Sequence, residues 1–166
     1  MTLSRRRFLQ TSSAAVFGAP LILPGLARGQ APASERITLG FIGVGTMGRG
    51  HLGKFLGNPR VQVLAVCDVV KERRDDAAAM VGKRYAEQKR GENAECKAYN
   101  NFRDVLNRAD IDAVVISTPD HWHAIQCIEA ARARKHIYCE KPLTHSIQEG
   151  RKIVDAVKSN GVVFQT

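Results

Sequence analysis

The chain has 166 residues, of which 44% are hydrophobic, and its formal net charge is +9. The positive charge is spread over predicted helices and loops without interleaved aromatic side chains, which argues against a nucleic-acid-binding surface. Residues 34–166 alone are enough for one domain with its own hydrophobic core.

The first 33 residues have the pattern of an export signal. Three arginines at positions 5–7 precede a mostly uncharged stretch over residues 11–27, which glycine and proline interrupt. A basic start, an apolar middle and small residues near a cleavage site are typical of a secretory signal. The arginines resemble the twin-arginine signal, with Gln10 where lysine is commoner. We therefore predict a signal over 1–33, a periplasmic location and no membrane span in the mature form. The alternative is a disordered basic N-terminus.

The hydrophobic pattern that follows alternates between strands and helices. In chain order it predicts strand 37–44, helix 46–56, strand 61–67, helix 71–90, strand 96–99, helix 101–108, strand 113–117, helix 122–134, strand 136–139, helix 146–159 and strand 162–165. This alternation is typical of an α/β fold with a doubly wound parallel sheet, whose expected strand order is 3-2-1-4-5-6. We assign it to a single dinucleotide-binding domain over residues 36–166.

A glycine-rich turn joins the first predicted strand to the first predicted helix. Residues 43–48 have the pattern G-x-G-x-x-G. Gly43 permits the tight turn, Gly45 leaves room for a pyrophosphate, and Gly48 lets the helix pack closely on the strand. Phosphates would lie at the positive end of this helix, beside Thr46 and Met47. The motif predicts a dinucleotide site, and a purely structural glycine turn is the alternative.

The second predicted strand ends at Asp68, twenty residues after Gly48. An acidic residue at this distance is the expected partner of an adenosine ribose hydroxyl. Its charge would repel a 2′-phosphate, so NAD is favoured over NADP. Arg73 and Arg74 weaken this preference, because an arginine could accommodate that phosphate. The alternative role of Asp68 is a helix cap.

The loop after the fourth predicted strand is unusually polar. Ligands of open parallel sheets lie at the carboxyl ends of the strands, so we expect Ser117 to bind the cofactor and Thr118 and Pro119 to lie under the nicotinamide ribose. An ordinary turn with proline at a helix start is the alternative. His121 and His123 could reach the site, with His123 as a catalytic acid or base, or could lie on the helix surface.

Glu140, Lys141 and Pro142 follow the fifth predicted strand. Proline restricts the preceding backbone to extended geometry, which would aim the lysine side chain in a fixed direction. An ammonium held near a carbonyl or alkoxide stabilises developing negative charge on oxygen. We therefore predict that Lys141 is catalytic and that Glu140 and Lys141 lie beside the cofactor. A surface lysine in a loop is the alternative.

The cysteines do not indicate a disulfide framework or a metal site. They stand at positions 67, 96, 127 and 139, without close and regular spacing. Cys127 lies four residues after His123, but a fourth ligand and a close cysteine pair are missing. We predict no bound metal.

In combination these motifs resemble the Gfo/Idh/MocA oxidoreductases over about residues 36–166. The matching features are the glycine-rich turn, Cys67-Asp68, the segment 117–123 and the segment 140–144. The resemblance implies that NAD or NADP is bound, with Lys141 near the nicotinamide and the reacting hydroxyl of a sugar, inositol or related polyol. It also implies a C-terminal substrate domain, which carries the proton-transferring groups and a homo-oligomer interface. That domain is not within these residues, so we expect the chain to be the N-terminal part of a longer enzyme or a truncated product.

Two other functions stay open. Proteins that the chain resembles include NAD-dependent glycosidases, which oxidise a sugar hydroxyl transiently and make no net NADH. The intact Glu140-Lys141-Pro142 favours the dehydrogenase over this alternative. A non-catalytic dinucleotide-binding module is the other alternative.

Overall fold

Six strands and five α-helices alternate along residues 35–90 and 95–166, which are the residues that the computed structural model describes. The predicted export signal lies outside them. In chain order the elements are β1 (Ile37–Ile42), α1 (Thr46–Leu56), β2 (Val61–Cys67), α2 (Lys71–Glu87), β3 (Lys97–Tyr99), α3 (Phe102–Leu106), β4 (Ala113–Ile116), a 3₁₀ turn (Asp120–Trp122), α4 (His123–Arg132), β5 (His136–Cys139), α5 (Ile147–Asn160) and β6 (Phe164–Gln165).

All six strands form one parallel sheet in the order β3-β2-β1-β4-β5-β6, which confirms the predicted fold class and strand order. The strand register brings the carboxyl ends to one edge. Ile42 pairs with Cys67 on one side and with Ile116 on the other, and Ile116 pairs with Cys139. The chain direction across the sheet reverses between β1 and β4, so the loops after these strands flank the place where such folds bind ligands.

The helices cover both faces of the sheet. Leu52 of α1 and Val81 of α2 are buried in one apolar cluster, whereas Phe102 of α3, Cys127 of α4 and Ile153 of α5 are buried in the other. Because both faces are covered, the central strands are nearly continuous apolar runs instead of alternating ones. No helix in the described part of the chain is both long and apolar enough to cross a membrane.

Several element ends differ from the predicted ones, for local backbone reasons. β1 stops at Ile42 because Gly43 has a φ of +86° and leaves the strand geometry. α2 ends at Glu87, two residues before Lys89, which has a φ of +52°. The predicted helix after β4 begins instead as a 3₁₀ turn and becomes α-helical at His123. The last strand is shorter than predicted and starts at Phe164.

Candidate functional site

The glycine-rich turn is the point of closest approach between β1, α1 and β4. A Cβ on Gly48 would lie 2.0 Å from the Gly43 carbonyl oxygen, and a Cβ on Gly43 would lie 2.7 Å from the Ser117 carbonyl carbon. Any side chain at either position would therefore displace backbone. Two of the three motif glycines are required by the packing of the protein itself.

Gly45 has no such packing reason. Its φ of −68° is open to any residue, and a Cβ there would meet only the Arg73 guanidinium, at 3.6 Å. No side chain caps the N-terminus of α1, where Gly45 is the N-cap residue. The first backbone N–H groups of a helix need partners from outside the helix, and a phosphate is a suitable one. The space beside Gly45 therefore fits a ligand phosphate, in the position that the motif predicts.

Asp68 braces the turn before α2 without capping the helix, whose N-cap residue is Val70, and it keeps capacity for a ligand. The side chain is 9% exposed, and its Oδ1 accepts a hydrogen bond from the Val70 N–H at 3.0 Å, at the start of α2. Its Oδ2 accepts from the Val44 N–H at 3.0 Å and so ties β2 to the glycine-rich turn. Each carboxylate oxygen has a second lone pair, so ribose hydroxyls can still donate to Asp68.

A cavity of about 470 Å³ runs along the carboxyl ends of β1, β2, β3 and β4. It brings together the predicted residues Gly43, Gly45, Asp68 and Arg73 with the loop after β4. The remaining lining residues are Ile42, Cys67, Val69, Asn100, Asn101, Phe102, Arg103, Ser117, Thr118, Pro119, Trp122 and Gln126. Its size and position suit the adenosine and pyrophosphate part of a dinucleotide.

Three arginines near this cavity differ in their hydrogen-bond and ion-pair partners. Arg74 donates to the carbonyl oxygens of Asp68 and Val69 and to the Asn100 side chain, so it braces the loop after β2. Arg103 forms an ion pair with a glutamate of α4 at 2.6 Å. Arg73 makes no hydrogen bond or ion pair with a described residue, and its guanidinium lies beside Gly45. Arg73 is therefore the arginine available to a ligand phosphate.

The loop after β4 has one side chain fixed against α4 and one without a hydrogen-bond partner in the described part of the chain. The Thr118 hydroxyl donates to the Gln126 side-chain oxygen at 2.7 Å, which fixes Thr118 against α4. The buried Ser117 hydroxyl has no hydrogen-bond partner among the described residues. A buried polar atom without a partner is unusual in a native protein. Other atoms of Ser117 line the cavity.

His123 is a bridge between two loops, which argues against its predicted role as acid or base. It is 1% exposed, with Nδ1 2.9 Å from the Pro142 carbonyl oxygen and Nε2 2.9 Å from the Thr118 carbonyl oxygen. Carbonyl oxygens only accept, so both nitrogens donate and the ring is an imidazolium. Burial disfavours this charge, but the Cys139 side chain and the two carbonyl oxygens outweigh it and raise the pKa of His123 to about 9.

The remaining predicted residues are not among those that line the cavity. Lys141 is exposed and makes no side-chain bond with a described residue, and its peptide bond to Pro142 is cis. Thr46 and Met47 are exposed in the first turn of α1. His121 is exposed beside Trp122 and does not line the cavity.

Glu140 turns away from the cavity toward α1. Its Oε1 accepts a hydrogen bond from His51 Nε2 at 2.7 Å and another from the Tyr138 hydroxyl at 3.1 Å. Burial opposes the carboxylate charge, but these two hydrogen bonds outweigh it and lower the pKa of Glu140. The sequence predicts that Glu140 binds the cofactor, whereas in the structure its side chain binds His51 and Tyr138.

Sequence reasoning missed the side of the cavity formed after β3. Asn100 and Asn101 line the cavity and follow β3, which has only three residues. Because this strand is so short, the sequence pattern did not indicate a ligand-binding loop at its carboxyl end. The rule that located the other loops applies equally to this one. Gln126 was missed because it lies within α4, eight residues after the threonine that it binds. Within residues 35–90 and 95–166, no three His, Cys, Asp or Glu side chains are placed to hold a metal ion.

Comparisons with known proteins agree with this geometry. The profile of an oxidoreductase family with an NAD-binding Rossmann fold, Gfo/Idh/MocA, matches residues 37–166. A glycosyl hydrolase family 109 protein from Shewanella pealeana is 32% identical over 174 aligned positions, which cover 95% of this chain and 38% of that relative.

Two solved structures have the same fold. The WlbA dehydrogenase from Bordetella pertussis, in complex with NADH and UDP-GlcNAcA, is 27% identical, with a TM-score of 0.66 over 78% of this chain and 36% of that one. An apo scyllo-inositol dehydrogenase from Lactobacillus casei is 26% identical, with a TM-score of 0.68 over 79% of this chain and 36% of that one. The chain thus spans little more than a third of the length of these proteins.

The charge of His123 can be tested by NMR titration of the imidazole resonances. Because its pKa is raised to about 9, we expect His123 to stay protonated through neutral pH and to lose its proton only near pH 9. The same histidine in the urea-unfolded chain should titrate near the ordinary value of about 6.5. A His123→Gln variant assigns the resonance. Titration of His123 near 6.5 in the folded protein would contradict the imidazolium bridge.

Proposed function

The chain belongs to the Gfo/Idh/MocA family of oxidoreductases, and on this premise we propose that it is the nucleotide-binding part of an NAD(P)-dependent dehydrogenase. Its substrate would be a sugar, an inositol or a related polyol, which assigns it to carbohydrate metabolism. In this proposal residues 36–166 form the dinucleotide-binding domain. A following domain of the full-length protein supplies the substrate pocket and the interface of a homo-oligomer.

The observation that carries this proposal is the difference between the three motif glycines. Gly43 and Gly48 are required by backbone contacts, whereas the space beside Gly45 is open. A glycine-rich turn that was only structural would need the first two and leave the third without a reason. The approach of a pyrophosphate to the backbone is the reason that the motif supplies for Gly45.

The other cavity residues can be assigned to parts of the dinucleotide. Asp68 would accept from the adenosine ribose hydroxyls, and Arg73 with the first turn of α1 would hold the pyrophosphate. Ser117 and Thr118 would lie toward the nicotinamide end, near Lys141. When bound, the nicotinamide supplies the hydride acceptor or donor. The Lys141 ammonium would stabilise negative charge on the oxygen of the reacting hydroxyl.

A preference for NAD over NADP follows from the burial of Asp68. A carboxylate that is 9% exposed and held by two backbone N–H groups cannot turn away from a 2′-phosphate. Like charges at close range in a partly desolvated site repel each other strongly. Arg73, whose guanidinium lies beside Gly45 in the same cavity, offsets part of this repulsion.

The glycosidase alternative is favoured by one observation, the 32% identity with a glycosyl hydrolase family 109 protein. The two functions differ in redox balance. A dehydrogenase releases NADH in proportion to its product, whereas a glycosidase that oxidises its substrate transiently returns the hydride and releases none. The exposed Lys141 is compatible with either reaction, because both pass through the oxidation of a hydroxyl.

Export by the twin-arginine route to the periplasm is the third element of the proposal. It is supported by the arginines at positions 5–7 and by the mostly uncharged stretch that follows them. A route that carries folded proteins suits a protein that takes up a dinucleotide before export.

The dinucleotide site is tested by calorimetric titration of the chain with NAD. We expect Gly45→Val to weaken NAD binding by at least about 100-fold, since the new methyl groups would occupy the space for the pyrophosphate. Gly50→Val is the matched control: Gly50 lies in α1, which begins directly after Gly45, and a Cβ there meets nothing within 4 Å. Both variants should unfold cooperatively. Equal NAD affinity of the two variants would overturn the proposed site.

The cofactor preference is tested with Asp68→Asn, which keeps an acceptor for a backbone N–H and removes the charge. The ratio of NADP to NAD dissociation constants should fall by about tenfold, which corresponds to about 1.4 kcal/mol. The physical reason is the loss of repulsion against the 2′-phosphate. An unchanged ratio would show that Asp68 does not face the adenosine ribose.

Export is tested by fusing residues 1–33 to a fluorescent reporter in bacteria with and without a twin-arginine translocase. We expect periplasmic fluorescence only when the translocase is present. Replacing both Arg5 and Arg6 by lysine should abolish it, while Arg7→Lys, the matched control outside the pair, should not. Export without the translocase would contradict the assigned route.

A further inference from the structure

A cluster of three polar side chains lies under the Glu140–Pro142 turn, on the side of the sheet away from α4. The side chains of His51 and Glu140 are 15% and 12% exposed. His51 Nε2 donates to Glu140 Oε1 at 2.7 Å, and the Tyr138 hydroxyl donates to the same oxygen at 3.1 Å. The His51 and Tyr138 rings also meet edge to face, with centroids 5.4 Å apart. Each member of the cluster thus contacts the other two.

The strand geometry explains why these residues meet. Side chains two positions apart in a strand point to the same face, so Tyr138 and Glu140 share one face of the sheet. Tyr138 packs against the apolar cluster formed by α1 and α2, which identifies that face. His51 lies on α1, one residue before the fully buried Leu52. The helix that begins at the glycine-rich turn therefore reaches the end of β5.

The turn that carries Lys141 is consequently held from both helical layers. On one side, α1 binds the side chain of Glu140 through His51. On the other side, His123 of α4 binds the carbonyl oxygen of Pro142 at 2.9 Å. The Glu140 N–H also donates to the Ile116 carbonyl oxygen at 2.9 Å, which continues the sheet up to the turn. Lys141 is the residue between these anchors.

We propose that His51 and Tyr138 are positioning residues for Lys141: by holding the Glu140 carboxylate, they set the direction of Lys141 relative to the dinucleotide. The same contact joins the pyrophosphate end of the site, at the start of α1, to the nicotinamide end, at the Lys141 turn. This inference rests on the proposed function, because it concerns how the nicotinamide half of NAD(H) is held.

If His51 and Tyr138 position Lys141, their loss should weaken binding of the nicotinamide half of the cofactor only. If they only stabilise the fold, their loss should weaken binding of both halves alike. Loss of the Glu140 contacts should release the Lys141 turn and weaken binding of the nicotinamide half. It should leave the adenosine half unchanged, because Asp68 is held independently by the Val44 and Val70 N–H groups. ADP-ribose, which lacks the nicotinamide, separates these two effects.

The test compares NADH and ADP-ribose binding to His51→Leu, His51→Gln and Tyr138→Phe variants of the chain. We expect His51→Leu to weaken NADH binding by about tenfold, the scale of one hydrogen bond to a charged group. ADP-ribose affinity should stay within about twofold. Gln has an amide N–H that reaches the place of Nε2, so His51→Gln should restore part of the affinity. Tyr138→Phe should show a smaller loss in the same direction.

Two further variants separate positioning from a structural effect. Tyr85→Phe is the matched control for Tyr138→Phe, because the Tyr85 hydroxyl binds the Val63 N–H at 2.6 Å, between α2 and β2. It should lower the midpoint of thermal unfolding without changing the affinity for NADH relative to ADP-ribose. In a Lys141→Ala background, His51→Leu should cause little further loss of NADH affinity, because the residue that it positions is already gone.

The outcomes distinguish the inference from the proposed function. Suppose that the unmodified chain binds both NADH and ADP-ribose. Equal losses of affinity for the two ligands in His51→Leu would then overturn the positioning role. Unchanged NADH affinity in both His51→Leu and Tyr138→Phe would also overturn it. A full effect of His51→Leu in the Lys141→Ala background also overturns it. If the folded, unmodified chain binds neither ligand, the proposed function fails and the inference fails with it.

Discussion

The packing of the Gly48 Cα against the Gly43 carbonyl is the contact on which the rest of the site depends. A Cβ at Gly48 would lie 2.0 Å from that oxygen, so α1 can lie this close to β1 only with glycine there. The close approach places the first turn of α1 at the reversal point of the sheet. It also brings Gly43 against Ser117, which sets the distance between the loops after β1 and β4. The cavity is the space that these loops leave.

From this contact α1 extends along the sheet and reaches the far side of the site. One end of the helix has backbone N–H groups that no described side chain caps, and five residues into the helix His51 binds Glu140. The opposite layer contributes a second link through His123, whose two ring nitrogens join the loops after β4 and β5. Because the backbone is fixed at several points, the place from which the exposed Lys141 side chain extends is set relative to the cavity.

Much of the fold could be predicted from the sequence because its signals are local. The alternation of apolar strands with helices gives the parallel sheet, and the glycine spacing locates the turn and, with it, Asp68. Contacts between distant residues could not be predicted in this way. His51 and Glu140 are 89 positions apart, and their contact depends on how α1 is rotated over the sheet. The pattern around His123 shows a residue that can titrate, but only the structure shows two carbonyl oxygens against its two nitrogens.

The two hydrogen bonds of His123 also limit which residue can accept the proton in the proposed reaction. Oxidation of a hydroxyl needs an acceptor for its proton as well as an acceptor for the hydride. His123 is buried with both nitrogens donating, so it offers no lone pair to a substrate. Lys141, as an ammonium, stabilises negative charge on the oxygen but accepts no proton in that form. In the proposed enzyme the proton acceptor is therefore a group other than these two, while the residues described here bind the dinucleotide and hold the charge beside it.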